Sequence, residues 1–298
     1  MFWSCYRLIV FFSFIERDHH LLSYRHSFHA GNFADVLKHV VLVEILDHLT
    51  KKSTPFEYVD THSGTGLYNL KSSDAQKLHE YTGGISRLDS ANFPELEDYF
   101  KVVRFFNRSD RLDFYPGSPA IAKYFLRHQD RGWLFELQPE DCVLLRKNIV
   151  NNKKIRVQCQ DGFQGLNALL PLTSRRGLVL IDPSYEIKSD YDQVVDSVIH
   201  GYKKFSQGIY AIWYPVVDRQ VINKMERKII KSGIKNIQRF ELGLSADSAG
   251  RGMTASGMIV INPPWTLFDK MSCLLPKLAQ QLTDNHQQFY KCDIIANE

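Results

Sequence analysis

Four short apolar runs in this chain each close on an acidic residue, with helical stretches between most of them. They are FEYVD (56–60), WLFE (133–136), IRVQCQD (155–161) and GLVLID (177–182). Near-continuous apolar runs of this length are strands buried on both faces, and strands alternating with helices build a mostly parallel sheet covered on either side. IYAIWY (209–214), IQRFEL (237–242) and GMIVIN (257–262) extend the series, with helices expected over 189–205 and 217–232. The last two strands lack a convincing helix between them, across residues 243–256, so an antiparallel hairpin is expected at one edge. Ahead of the first run, Val36, Leu37, Val40, Val41, Ile45 and Leu49 recur at the spacing of one helical face.

In an open sheet of this kind, ligands gather at the carboxyl ends of the strands, near the point where the strand order reverses. Asp60, Glu136, Asp161 and Asp182 all fall at that edge. Each alone is better explained as a helix cap; four in register point to a ligand. The first strand runs into THSGTG, whose Gly64 and Gly66 let backbone approach a bound molecule closely, although a lone GxG is weak by itself. An acid ending the second strand can hold ribose hydroxyls, and one ending the third can accept from an adenine amino group. A nucleoside-bearing cofactor accounts for these positions and leaves the fourth strand facing a substrate.

That fourth strand ends in LIDPSYE (180–186). The carboxylate of Asp182 and the carbonyl of Pro183 can accept the two N–H bonds of an exocyclic amine and favour a pyramidal, nucleophilic nitrogen. The ring of Tyr185 can stack on a base turned out of its helix.

Composition narrows the class. A hydrophobic share of 44% with 23% charged residues fits a soluble globular chain with a substantial core. The net charge is only +4, but basic residues cluster, as in Arg104, Arg108 and Arg111, which makes a polyanion partner plausible. Cys5, Cys142, Cys159, Cys273 and Cys292 have neither zinc nor redox-dithiol spacing and read as reduced thiols of a cytoplasmic protein, with no metal expected. Residues 70–116 are more polar, with helical patches near 74–84 and 94–106, and read as a small helical insertion. MFWSCYRLIVFFSFIERDHH at the start is too short and too broken by Arg7 to span a membrane comfortably.

Longer blocks carry a resemblance. D-P-x-Y resembles the catalytic motif of amino-methyltransferases. SYRHSFHAGNFADVLKH (23–39), DTHSGTG (60–66), YPGSP (115–119), LIDPSYE, IYAIWYPV (209–216) and GMTASGMIVINPPW (252–265) are similar to the RlmJ family of bacterial 23S rRNA (adenine-N6)-methyltransferases. The resemblance runs from about residue 22 to near the C-terminus. It implies an α/β fold: a Rossmann-like class I methyltransferase sheet with helices on both faces, using S-adenosyl-L-methionine. Residues 22–298 would form the methyltransferase domain and 1–21 an extension, with translation expected to start at Leu21-Leu22.

The family's cofactor contacts fall on Lys38, His39, His62, Ser118, Glu136, Asp161 and Gly162, with Asp182 catalytic and Pro183, Tyr185, Tyr24 and His26 on the substrate side. His39 on an apolar helix would otherwise be read as a core histidine. Ser184 stands where the motif usually has a second proline, and activity is expected to survive because the amine-binding carbonyl belongs to Pro183. The implied partner is 23S rRNA, naked or in an assembling large subunit, for a monomer with no membrane association. The competing readings are an N-methyltransferase of the same fold acting on DNA adenine or a protein glutamine, a non-catalytic RNA-binding protein, and an NAD-dependent oxidoreductase.

Overall fold

The computed structural model describes residues 24–109, 111–149, 153–245, 252–283 and 289–297; the expected extension, 1–21, and part of the 243–256 connection lie outside them. Asn32 opens the first long helix, α1 (Phe33–Thr50), by accepting a hydrogen bond from the Asp35 backbone N–H. The single apolar face expected of α1 is too narrow a description. Leu42, Val43 and Leu46, off that stripe, are as fully buried as Val36 and Leu37. The reason is that α1 lies against the sheet on one side while three further helices pack on it: α3 (Glu97–Phe105), α4 (Ser118–Phe125) and α9 (Leu267–Leu282).

The remaining elements follow in chain order: β1 (Glu57–Asp60), β2 (Leu67–Asn69), α2 (Ser73–Leu78), β3 (Phe114–Pro116), β4 (Arg131–Phe135), α5 (Pro139–Asn148) and β5 (Ile155–Gln158). After them come α6 (Gly162–Leu169), β6 (Gly177–Ile181), α7 (Ser189–Lys204), β7 (Ile209–Val216), α8 (Arg219–Lys231), β8 (Ile237–Gly243), β9 (Ala255–Ile261) and β10 (Phe289–Ala296). Eight strands form one sheet in the order β10-β8-β9-β7-β6-β1-β4-β5. The five from β5 to β7 pair in parallel. The strand order reverses between β1 and β6, where Asp60 lies beside Leu180, so the crevice expected for a ligand opens there. One apolar layer joins α1, α4, α9 and the sheet; a second joins α6, α7 and α8 to its other face. With β9 running antiparallel between β7 and β8, this is the sheet of a class I methyltransferase.

The hairpin of β8 and β9 forms, but not at the edge. β9 threads between β7 and β8, and β10 pairs antiparallel with β8 to take the outer position. Gly257 of β9 allows this passage, because a Cβ there would lie 2.2 Å from the Tyr214 ring. The sequence reading has no strand at β10, whose half-exposed residues lack a clean alternation.

The insertion is helical, with α2 and α3 inside it, but its ends are closed by the unanticipated pair β2–β3, in which Leu67 faces Pro116 and Asn69 faces Phe114. Tyr99, Phe100 and Tyr115 merge with the layer around α1. The expectation of reduced thiols throughout is also corrected. Cys142, buried on α5, and Cys159, just beyond β5, are joined as a disulfide with their Cα atoms 5.8 Å apart. The two are brought together where α5 returns against β5, which a separation of 17 residues does not reveal.

Candidate active site

The loop after β1, the start of α4, the ends of β4 and β5 and the turn after β6 converge on one cavity, together with Tyr24, His26 and the first turns of α1. Tyr24, His26, Lys38, His39, His62, Ser118, Glu136, Asp161, Gly162, Asp182 and Pro183 all line it. Tyr185 does not. Its backbone is left-handed, at φ 54°. Its hydroxyl donates to the Trp213 carbonyl at 2.6 Å, and its ring packs on Tyr191 with centroids 4.4 Å apart. The expectation of a stacking platform is therefore corrected: Tyr185 is a buried prop beneath the turn, while Ser184 and Pro183 face the cavity.

The four strand-end acids have four different duties. Asp60 is fully buried and does not line the cavity. It accepts from the Tyr58 hydroxyl at 2.7 Å and the His62 N–H at 3.3 Å, and burial pushes it up to about 6. Glu136 accepts from the Gly64 N–H at 2.7 Å and the Gln138 N–H at 2.8 Å, which fixes the glycine loop against β4; burial raises its pKa. Asp161 caps α6 by accepting from Phe163 N at 2.7 Å and Gln164 N at 3.2 Å. The capping explanation thus holds for Asp161 even as it lines the cavity. Gly162 follows, where a Cβ would sit 1.8 Å from the Thr61 carbonyl oxygen, so no other residue lets α6 begin this close to the loop.

Asp182 sits in an ion-pair chain. Lys38 Nζ bonds Asp182 Oδ2 at 2.7 Å and Asp35 Oδ1 at 2.8 Å. Burial works against the charge on Lys38, but the two carboxylates overcome it and hold the ammonium well above its ordinary value. Burial also raises Asp182, with Lys38 pulling the other way. Among the described residues, Asp182 Oδ1 and the Pro183 carbonyl accept no protein hydrogen bond, and both residues line the cavity.

Two histidines are held neutral. Burial pushes His39 down to about 3; its Nδ1 pairs with the Tyr115 hydroxyl at 2.8 Å, and its buried Nε2 has no partner among the described residues. Burial pushes His62 down to about 4, beside Thr61 and with its ring edge on Phe163.

The family model described as "Ribosomal RNA large subunit methyltransferase D, RlmJ" matches residues 53–295. The chain belongs to the RlmJ family. It is 53% identical over 264 residues to "Ribosomal RNA large subunit methyltransferase J" of Escherichia coli K12, covering 88% of this chain and 94% of that protein. The protein of the same description from Haemophilus influenzae is 51% identical over 265 residues, again covering 88% and 94%. Among solved structures, protein LPL1258 of Legionella pneumophila superposes with a TM-score of 0.81 at 39% identity, covering 89% of this chain and 98% of that one.

Several residues of this RlmJ-family site escaped the sequence reading, among them Asp35, Tyr68, Phe163 and Gln193. Tyr68, Phe163 and Gln193 line the cavity, while Asp35 joins Lys38 to His26. Asp35 stands three positions before Lys38 in the block quoted for the resemblance, and an acid one helical turn from a lysine was the available signal.

Proposed function

We propose that this chain transfers a methyl group from S-adenosyl-L-methionine to N6 of an adenine in 23S ribosomal RNA. The observation that carries the proposal is the pair of unfilled acceptors, Asp182 Oδ1 and the Pro183 carbonyl, at the strand end next to the reversal in strand order. An exocyclic amine has two N–H bonds, and two fixed acceptors hold both while leaving the nitrogen lone pair free. The relatives' descriptions as large-subunit rRNA methyltransferases support rRNA as the polymer.

The cavity residues suit the cofactor. The unpartnered Nε2 of buried His39 needs a ligand group, the glycine at 162 keeps the wall close, and Glu136 retains acceptor capacity for ribose hydroxyls. We assign His39, His62, Ser118, Glu136, Asp161 and Gly162 to holding it. When bound, S-adenosyl-L-methionine supplies a methyl group activated on a sulfonium. Lys38 acts at one remove, by pinning Asp182 Oδ2 so that Oδ1 faces the cavity. Asp182 orients the amine and accepts its proton after the new bond has made the nitrogen cationic and acidic. Tyr24 and His26 close the substrate side.

We read residues 22–298 as one domain, supported by the core shared between α1 and the insertion. Exposed Arg108 and Arg111 are candidates for RNA backbone contacts, whereas Arg104 is tied to Glu97 at 2.8 Å. The chain is read as a cytoplasmic monomer acting on naked rRNA or an assembling subunit. No helix among the described residues is long and apolar enough to cross a membrane.

The test is transfer of labelled methyl to 23S rRNA from cells lacking this gene, with Asp182→Asn beside the unaltered chain. The unaltered chain should form N6-methyladenine, and the variant should lose about 100-fold or more in kcat while still binding cofactor. No transfer by the unaltered chain, or transfer to DNA in its place, sinks the proposal.

A further inference from the structure

Asp35 is a buried carboxylate, 1% exposed, for which the reaction described above has no use. Its Oδ2 accepts from the Gly31 N–H at 2.9 Å and meets His26 Nε2 at 2.8 Å, and its Oδ1 meets Lys38 Nζ at 2.8 Å. Although burial opposes its charge, the Lys38 ammonium and the hydrogen bond to His26 favour the ionised form and hold Asp35 well below the usual carboxylate range. An ionised carboxylate can only accept, so His26 Nε2 must carry a hydrogen. In the neutral imidazole, Nδ1 is then an acceptor, and the Tyr24 hydroxyl 2.8 Å away must donate to it. Once its hydrogen is committed to His26, the Tyr24 oxygen has only lone pairs left to offer. Tyr24 lines the cavity that contains Asp182.

We propose that Asp35 is a positioning residue with two arms: one fixes the His26 tautomer and thereby makes the Tyr24 oxygen an acceptor at the cavity, and the other holds Lys38 against Asp182. The inference rests on reading this cavity as a methyl-transfer site. There, positive charge builds on the attacking amine, and acceptors fixed beforehand stabilise it without reorganising. The opposite His26 tautomer would aim a lone pair at the carboxylate and turn the Tyr24 hydrogen toward the cavity, presenting a donor where an acceptor is needed.

The first test needs no substrate. Long-range nitrogen–proton NMR of the ¹⁵N-histidine-labelled full chain at pH 8, with His26 assigned by its loss in His26→Gln, should show hydrogen on Nε2. Hydrogen on Nδ1, or on both nitrogens, overturns the proposal. The second test is Asp35→Asn, whose amide must turn an N–H₂ toward either His26 or Lys38. We expect kcat on 23S rRNA to fall about 100-fold or more, in the direction of the loss seen when the acid orienting a catalytic histidine is made an amide. KM for rRNA and cofactor affinity should each stay within about threefold, because Asp35 touches neither. A variant with unaltered kcat, or one that loses cofactor affinity in step with kcat, also overturns the proposal. Absence of rRNA methylation by the unaltered chain refutes the assigned reaction, while the NMR result still decides the His26–Tyr24 geometry. That measurement on the unaltered chain also decides it if Asp35→Asn fails to fold.

Discussion

Tyr185 separates what a residue type permits from what its surroundings make of it. An aromatic ring three positions after the start of an Asp-Pro turn suits base stacking, yet here its hydroxyl is bonded to the Trp213 carbonyl and the ring is packed among Tyr191 and Trp213. Tyr185→Phe should therefore lower stability by about 1 kcal/mol, the net worth of one buried hydrogen bond, and leave kcat within about threefold. Urea unfolding and rRNA methylation on the same preparation check this; a large kcat loss at unchanged stability would return Tyr185 to the substrate side. The same distinction applies to the strand-end acids. Their common edge was legible from the apolar runs, because strand direction and alternation dictate it. Which oxygen meets which N–H was not legible. Asp161 caps α6 and Asp60 bonds the Tyr58 hydroxyl beneath the loop, partners that residue type does not encode.

At the scale of elements, the strands β1, β4, β5, β6, β7, β8 and β9 and the helices α1, α7 and α8 were legible from length and apolar content, whereas α6, packed in the layer beneath β4 and β6, was not read. Order at the far edge was not legible either. β8 and β9 read as an edge hairpin, whereas β9 lies between β7 and β8, an arrangement in which Gly257 leaves room for the Tyr214 ring. Tyr214 in turn bonds Glu241 of β8 at 3.0 Å, and Arg219 holds the same carboxylate at 2.7 Å. Gly257→Ala should consequently cost about 1–3 kcal/mol, the usual penalty for overfilling a packed core. A lowered urea midpoint checks it, and an unchanged midpoint would mean that Tyr214 moves aside freely. β10 escaped for the opposite reason: an edge strand buried on one side only carries too weak a pattern to stand out from a loop.

Across the whole molecule, the insertion is tied to the cavity by a polar thread. Tyr99 and Tyr115 hydroxyls lie 3.0 Å apart, and Tyr115 meets Nδ1 of His39, itself a residue of the cavity wall. The sequence shows an apolar α1 but not that the insertion covers it, and that cover is what holds His39 neutral. Its pKa is about 3 in the folded chain against roughly 6.5 for an unfolded histidine. The sign follows from proton counting. Between those values the unfolded chain binds a proton at His39 that the folded chain does not, so stability falls as pH is lowered through this window. Above about pH 6.5 the contribution is fully present, and below it the loss is about 1.4 kcal/mol per pH unit. His39→Gln removes this one titration and leaves the other groups in place. The difference in unfolding free energy between the unaltered chain and His39→Gln should be largest at pH 7.5, then shrink steadily at pH 6 and pH 5. Urea unfolding without cofactor at the three pH values measures it. A difference independent of pH would mean that His39 takes up its proton inside the folded chain, and that the insertion does not seal it from water.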